Sequence, residues 1–354
     1  MNYNSMAGSI LRKAYRIQAK NGRWSTGSLS NLKLEEETLP PPAAGEVQVG
    51  VQAIGLNFAD IFAIWGLYGA TPAGAFVPGL EYAGTILAKG AGIENVQVGD
   101  RVMGVTRFGA YASHLNIDAR YVIPMPDSWT FAEGSAYLVQ VLTAYYGLKQ
   151  LGDIQKGQCV LIHSAAGGVG LWANRIAKQY EAYTIGTVGS PHKLKVLQQE
   201  GYDRGIVRRK SFRKDLEEVL GDKELHLIME CIGGKIFSAG YEVLAPQGRM
   251  VVYGSARYAS VGNRPNYLRL LYHFLTRPKL DPQKMPEHNK SVMGFNLIWL
   301  YERASLMHQL LDDLQTLDLG RPVVGERFAF EELRHAVLRF QSGQTVGKVV
   351  VELS

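Results

Sequence analysis

The apolar run Gln158–Ser164 (QCVLIHS) leads directly into Ala165-Ala166-Gly167-Gly168-Val169-Gly170 and then into a helical pattern lasting to about Tyr180. No other segment restricts the fold as much. A short apolar strand that turns through glycines into a helix is the opening of a βαβ unit, and the pattern repeats downstream. Tyr183–Val188 reads as a second strand, followed by a helix over Pro191–Glu200. Leu225–Ile232 is another strand, with a helix to Leu244 and then the strand Arg249–Tyr253. After Pro286 come a strand at Ser291–Asn296 and a long helix around Arg303–Leu314. Nearly continuous apolar strands joined by helices predict an α/β region whose doubly wound parallel sheet is covered on both faces.

The glycine turn also predicts a ligand. Its spacing is the dinucleotide fingerprint G-x-G-x-x-G with alanine in the first glycine place. Gly167 would let the backbone approach a pyrophosphate, and Gly170 would let the helix pack closely on the strand. Ala165, Ala166, Gly168 and Val169 complete the turn, and the free N–H groups of the helix start favour phosphate. The second strand ends at Gly189-Ser190, where an NAD-preferring site would carry Asp or Glu. Lys193 follows, and Arg208, Arg209 and Lys210 stand at the end of the next strand. Cations without that carboxylate favour a 2′-phosphate, hence NADPH. Lys193 is the first candidate partner, with Arg208 and Arg209 next. Gly254 and Phe295, at the ends of the two later strands, are further expected cofactor contacts.

Up to about Gln140 the texture differs. Short apolar runs such as Val47–Val51 and Tyr121–Met125 are separated by turn signals at Pro40-Pro41-Pro42, Val98-Gly99-Asp100 and Pro124-Met125-Pro126, which predicts a mostly β region, a partly closed barrel or bent sheet. The closing strand, Gly347–Leu353, is expected to return to it. A chain of 354 residues accommodates two such domains. We expect 1–140 with 300–354 as one, and 141–299 as the other, containing a variable insert at 258–290. With two cysteines there is no disulfide framework and no four-Cys zinc lobe. No apolar run reaches the ~18 residues of a membrane span, and Met1–Lys20 lacks a signal-peptide apolar core. These features predict a reduced, cytoplasmic protein. The net charge of +6 suits an anionic ligand and is too small to suggest nucleic acid.

Five ordered motifs carry a resemblance: Gly55-Leu56-Asn57-Phe58-Ala59-Asp60, Pro78-Gly79-Leu80-Glu81-Tyr82-Ala83-Gly84, Gly99-Asp100-Arg101-Val102-Met103, Ala165–Gly170 and Gly347-Lys348-Val349-Val350. In these the chain resembles the medium-chain dehydrogenase/reductase superfamily, and most closely its zinc-free quinone oxidoreductase members, near the vesicle amine transport protein homologues. The resemblance implies a GroES-like catalytic domain interrupted in sequence by a Rossmann domain, an active site in the cleft between them, and a homodimer. Zinc-dependent relatives place Cys where Asn57 stands and His where Leu80 stands, so no catalytic zinc is expected; Glu81 survives in a structural role.

Without a Lewis acid, the practical hydride acceptors are quinones and α,β-unsaturated carbonyls, whose developing oxyanion is delocalised. Such a site needs an apolar slot and one or two hydrogen-bond donors. Asn57–Tyr68 (NFADIFAIWGLY) resembles a stretch of enoyl-thioester reductases whose tyrosine is a proposed proton donor. This implies Tyr68 as donor or oxyanion partner, with Asn57 and Asp60 as orienting groups; Tyr68 merely lining the slot is the other reading. Tyr258 is a weaker candidate of the same kind. By the same resemblance Thr143 approaches the nicotinamide amide and Lys348 lies near the cofactor. Cys159, Cys231 and His163 read as structural, and of Phe62 and Trp65 one is expected in the core. The leading reading is an NADPH-dependent quinone or enone oxidoreductase acting on a small hydrophobic substrate. The alternative is an NADPH-binding interaction or membrane-peripheral protein whose apolar, basic helix Asn266–Arg277 makes the contact.

Overall fold

The computed structural model describes residues 8–20, 23–24 and 27–353; the first seven residues of the stretch read for a leader lie outside them. Six strands form a parallel sheet in the spatial order Arg204–Val207, Tyr183–Val188, Cys159–Ile162, Leu225–Glu230, Leu244–Val252, Ser291–Gly294. In chain order this is 3-2-1-4-5-6, the doubly wound dinucleotide-binding arrangement, with its crevice where the order reverses beside the first strand. Every pairing in it is parallel. Cys159–Ile162 is buried throughout, as a central strand covered on both faces must be.

The second layer system is antiparallel. Glu46–Gly55 pairs with Glu81–Lys89 and with His114–Asp118, and Arg101–Val105 continues the sheet to Val122–Pro124. Lys348–Glu352 pairs antiparallel to Glu46–Gly55 and parallel to Val324–Ala329, so segments before and after the parallel sheet in the chain share one sheet. Ile10–Ile17 and Leu32–Leu39 form a separate two-stranded ladder. The architecture is a GroES-like β unit beside a Rossmann unit.

The β unit holds more helix than its texture predicts. Phe58–Ile64 is helical, as are Phe131–Gly134 and Leu138–Tyr145. In the first of these Ile61, Ala63 and Ile64 are buried, so packing overrides a segment too short to show helical periodicity. The Rossmann unit also contains the helix Phe212–Leu220, buried through Phe212, Leu216 and Leu220. The apolar, basic segment forms the helix Tyr267–Leu275 with Asn266 as its cap, its Oδ1 accepting from Arg269 N–H. None of its residues is buried. Among the described residues no helix is long and apolar enough to cross a membrane.

Candidate active site

A cavity of about 1270 Å³ lies between the two units, larger than the ~300–1,000 Å³ of a pocket for one small molecule. The glycine turn forms one wall. Ser164 leaves the first strand with φ 51°, a left-handed conformation unusual for serine, and its carbonyl accepts from Gly167 N–H at 2.8 Å. The helix Gly168–Gln179 begins there. A Cβ on Gly170 would stand 2.6 Å from both Ala165 Cα and the Ser164 carbonyl oxygen; on Gly167 its nearest neighbour would be 3.2 Å away. Gly170 therefore serves close packing, while Gly167 has a single tight neighbour and lines the cavity. Ala166, Gly167, Gly168, Val169 and Gly170 all line the cavity. Ala165 does not: it is fully buried, and its carbonyl accepts from Tyr202 Oη. The sequence expectation for Ala165 is corrected accordingly.

Two of the cations reach the cavity. Arg208 donates Nη1 to the Thr187 carbonyl at 3.0 Å and to Thr187 Oγ1 at 2.9 Å, which fixes its guanidinium beside Gly189. Burial, which disfavours the charged form, lowers its pKa. Lys193 also lines the cavity, but its Nζ donates to the carbonyls of Gly343 and Thr345 at 2.7 and 2.6 Å, and burial pulls its pKa down to about 8. Two of its three donors are thus committed to backbone. Arg208 is the better-placed partner for a phosphate, reversing the sequence order of preference. Arg209 is exposed and Ser190 makes one long contact, 3.4 Å, with Gln344; neither lines the cavity. Gly189, Gly254 and Phe295 do, and Phe295 packs against Tyr146 at 5.0 Å between ring centroids.

Thr143 faces the cavity and donates its hydroxyl proton to the Val139 carbonyl at 2.6 Å, so only acceptor capacity remains. Tyr68 Oη donates to Asn296 Oδ1 at 2.8 Å, and both line the cavity. This bond crosses from the β unit to the end of the sixth Rossmann strand. Burial pushes the Tyr68 phenol up to about 12. Asn296 was not singled out from sequence; the available signal was its place at the carboxyl end of a parallel strand, where such sheets bind ligands. Phe62 lines the cavity and Trp65 is core, 2 % exposed. Tyr258 also lines it, with its hydroxyl held by the His273 carbonyl at 3.3 Å.

The remaining candidates form a buried network beneath the cavity. Lys348 is 0 % exposed; its Nζ pairs with Glu81 and donates to Asn57 Oδ1 at 2.9 Å. An ammonium only donates, so Asn57 must turn its oxygen to Lys348. Its Nδ2 then donates to Glu81 Oε1 at 2.9 Å and to the Gly55 carbonyl at 3.2 Å. Asn57 borders the cavity with both amide hydrogens spent, so it is not a free donor to a substrate. Asp60 accepts from Asn57 N–H at 2.8 Å and from Tyr111 Oη at 3.0 Å; burial raises its pKa to about 7, and it does not line the cavity. The assignment of Lys348 to the cofactor is likewise corrected: the side chain points away into the β unit.

His163 is fully buried, with Nδ1 2.8 Å from Thr187 Oγ1 and Nε2 3.2 Å from Glu230 Oε2, and burial lowers its pKa to about 3; it does not line the cavity. Cys231 lies on the cavity wall, and burial raises its thiol pKa, so it is no thiolate.

The residues present do not fit a zinc ion. Asn57 and Leu80 occupy two of the ligand places of the zinc-dependent pattern, and the Lys348 ammonium already neutralises Glu81. Among the described residues no three His, Cys, Asp or Glu side chains cluster as a metal site would require. A dinucleotide does fit: an open glycine turn, a 12-residue helix starting at it and a fixed guanidinium beside it.

Comparison with known proteins agrees with this architecture. Residues 43–127 match the alcohol dehydrogenase GroES-like domain model, and residues 168–297 the zinc-binding dehydrogenase model. The rat synaptic vesicle membrane protein VAT-1 homolog is 31% identical over 330 residues, covering 92% of this chain and 81% of that protein. Among solved structures, the quinone oxidoreductase from Thermus thermophilus, determined also as its complex with NADPH, is 28% identical with a TM-score of 0.77, covering 96% of this chain and 100% of that one. The CurK enoyl reductase is 26% identical with a TM-score of 0.81, covering 97% and 99%.

Proposed function

The chain belongs to the medium-chain dehydrogenase/reductase superfamily, and from that premise we propose that it is an oxidoreductase using NADPH to reduce a quinone or an α,β-unsaturated carbonyl. The observation that carries the proposal is the Tyr68 hydroxyl, held by Asn296 in the same cavity as the open glycine turn. Gly167, Gly168 and the helix start would hold the pyrophosphate, and Arg208, with the remaining donor of Lys193, the 2′-phosphate. When bound, NADPH supplies a hydride. Thr143 offers its lone pairs to an amide N–H, and Tyr68 keeps its proton at neutral pH until an acceptor oxygen beside it gains negative charge. In the site as it stands that proton is donated to Asn296 Oδ1, so the phenol must turn from Asn296 to the acceptor oxygen to deliver it. Asn57, Glu81, Lys348 and Asp60 act from below by holding the start of the helix Phe58–Ile64, which leads to Tyr68.

The test is a rapid-mixing assay of NADPH absorbance with a panel of quinones and enones. We expect oxidation with at least one acceptor, NADPH favoured over NADH, and a loss of about 10²-fold or more in Tyr68→Phe, the scale of general acid catalysis. Unchanged turnover in Tyr68→Phe would remove the donor role, and NADPH binding without oxidation across the panel would remove the reductase.

The exposed helix Tyr267–Leu275 supports a second reading, a membrane-peripheral or interaction protein. Leu268 is 82% exposed and Leu275 66%, with Arg269 and Arg277 beside them; flotation with anionic liposomes, with and without Leu268→Ser and Leu275→Ser, tests it. The sixth strand, Ser291–Gly294, pairs on one side only, and this open edge suits a second copy of the chain in a homodimer. Sedimentation measures that. A reducing, cytoplasmic setting accords with both cysteines being buried thiols.

A further inference from the structure

The cavity has two chemically different ends. Arg208 follows the strand at one edge of the parallel sheet and Asn296 the strand at the other, with the Arg208 guanidinium turned inward to Thr187 on the second strand. The cations therefore stand at one end and the Tyr68–Asn296 pair towards the other. Beyond Asn296 the chain continues along the cavity wall. Leu300, Leu306, Met307 and Leu310 line the cavity there, as do Val105 and Leu142. Leu306, Met307 and Leu310 recur at i, i+1 and i+4 in the helix Ala304–Gln315, so they share one face of it.

This wall is rigid. Leu310 is 2% exposed and Leu142 also 2%. Tyr301 stacks on Tyr121 with ring centroids 4.0 Å apart, and Tyr121 Oη donates to the Tyr301 carbonyl at 2.7 Å. The one charged side chain of this stretch on the cavity, Arg303, is exposed. Interiors close-pack, and space walled by aliphatic side chains costs stability. The aliphatic end of a cavity this large, its tail branch, is suited to an aliphatic ligand.

We propose that this branch is a binding site for the hydrocarbon tail of the acceptor, so that the substrate is a quinone or enone carrying a long alkyl or prenyl chain. The inference rests on the reductase reading above. The headgroup lies by Tyr68 and Asn296, and the tail runs past Leu300 and Met307 towards Leu310. Tail burial contributes binding without chemistry, so selection is by chain length.

The experiment uses the full chain saturated with NADPH and two ligand series. One holds 2-alkyl-1,4-benzoquinones and 3-alken-2-ones from short to ten-carbon chains; the other holds saturated 2-alkanones of matching length, bound but not reduced, followed by titration calorimetry. We expect kcat/KM to rise about two- to fourfold per methylene until the branch is full, and the saturated ketones to bind with the same slope. In Met307→Trp and, separately, Leu306→Phe, which fill the branch, the ratio of long- to short-chain kcat/KM falls towards one, while an unchanged NADPH affinity reports an intact fold. Short acceptors reduced as well as long ones, with ketone binding flat in chain length, would overturn the tail site and leave the reductase standing. No reduction of any acceptor, with ketone binding still length-dependent and lost in both variants, would overturn the reductase and uphold the tail site. Length dependence untouched by both variants places the tail elsewhere and overturns the assignment.

Discussion

Lys348→Met separates a buried structural lysine from a cofactor-binding one. In the wild type the ammonium and the Glu81 carboxylate are 0% and 1% exposed and in contact. Removing the ammonium leaves Glu81 with donors from Asn57 Nδ2 at 2.9 Å and Val139 N–H at 3.2 Å, neither of which carries charge. Breaking a buried pair on one side costs about 3–5 kcal/mol, because a desolvated charge loses its compensation. With a urea slope of about 3 kcal/mol per M, the midpoint should fall by roughly 1–1.7 M. Pairing the change with Glu81→Gln removes the orphaned charge as well, and should recover most of that loss, since neutral replacements of both partners are often close to neutral overall. Far-UV circular dichroism in urea measures the midpoints and NADPH fluorescence the affinity. A lysine turned into the β unit predicts a large midpoint loss with little change in NADPH affinity. A tenfold or greater loss of NADPH affinity at an unchanged midpoint would refute the burial reading and return Lys348 to the cofactor. A double variant as unstable as the single one would refute the charge argument.

Four other outcomes follow from the same geometry. Arg208→Leu should cut the NADPH-over-NADH preference by about 10- to 100-fold, the worth of ~1.5–3 kcal/mol for hydrogen bonds to a charged group, measured as a ratio of kcat/KM values. Gly170→Ala places a methyl against backbone 2.6 Å away and should cost about 1–3 kcal/mol of stability, whereas Gly167→Ala, whose nearest contact is 3.2 Å, should mainly weaken NADPH; thermal melts with and without NADPH distinguish them. The Tyr68 phenol, raised to about 12, stays protonated through the neutral and mildly basic range, so kcat should show no basic limb from it below about pH 10; a limb near pH 8 that vanishes in Tyr68→Phe would contradict this. Asp60, raised to about 7 from 3.8, binds more protons folded than unfolded between those values, so its contribution to stability is lost as pH rises from about 4 to 7, on the order of 4 kcal/mol at most. In Asp60→Asn that loss should disappear, which urea midpoints across this range measure.

Much of the architecture is carried by local pattern. Gln158–Ser164, Tyr183–Val188 and Leu225–Ile232 are apolar on both faces because helices cover both sides of a parallel sheet, and that shows in any window of seven residues. The glycine turn is equally local: Gly170 is required by contacts with Ser164 and Ala165, six and five residues away. The helix Phe58–Ile64 escapes such reading because seven residues carry too little period and its burial comes from the sheet beside it. Asn296 escaped periodicity because it is a single polar residue, marked only by its place at the carboxyl end of a parallel strand.

The sequence by itself determined that a doubly wound parallel sheet turns through Gly167 and Gly168 into its first helix, that Asn57 and Leu80 stand where the zinc-dependent pattern has its ligands, and that cations cluster after the second and third strands. Only the tertiary structure decided what each charged side chain does. Arg208 reaches the cavity because Thr187 holds it there, and Arg209, its neighbour in sequence, is left in solvent. Lys193 spends its donors on carbonyls 150 and 152 residues away. Lys348 meets Asn57 across 291 residues and Glu81 across 267. The reason is physical: periodicity records which face of a strand or helix is buried, over a few residues of chain. A long charged side chain chooses among partners that only the closed fold brings within 3 Å.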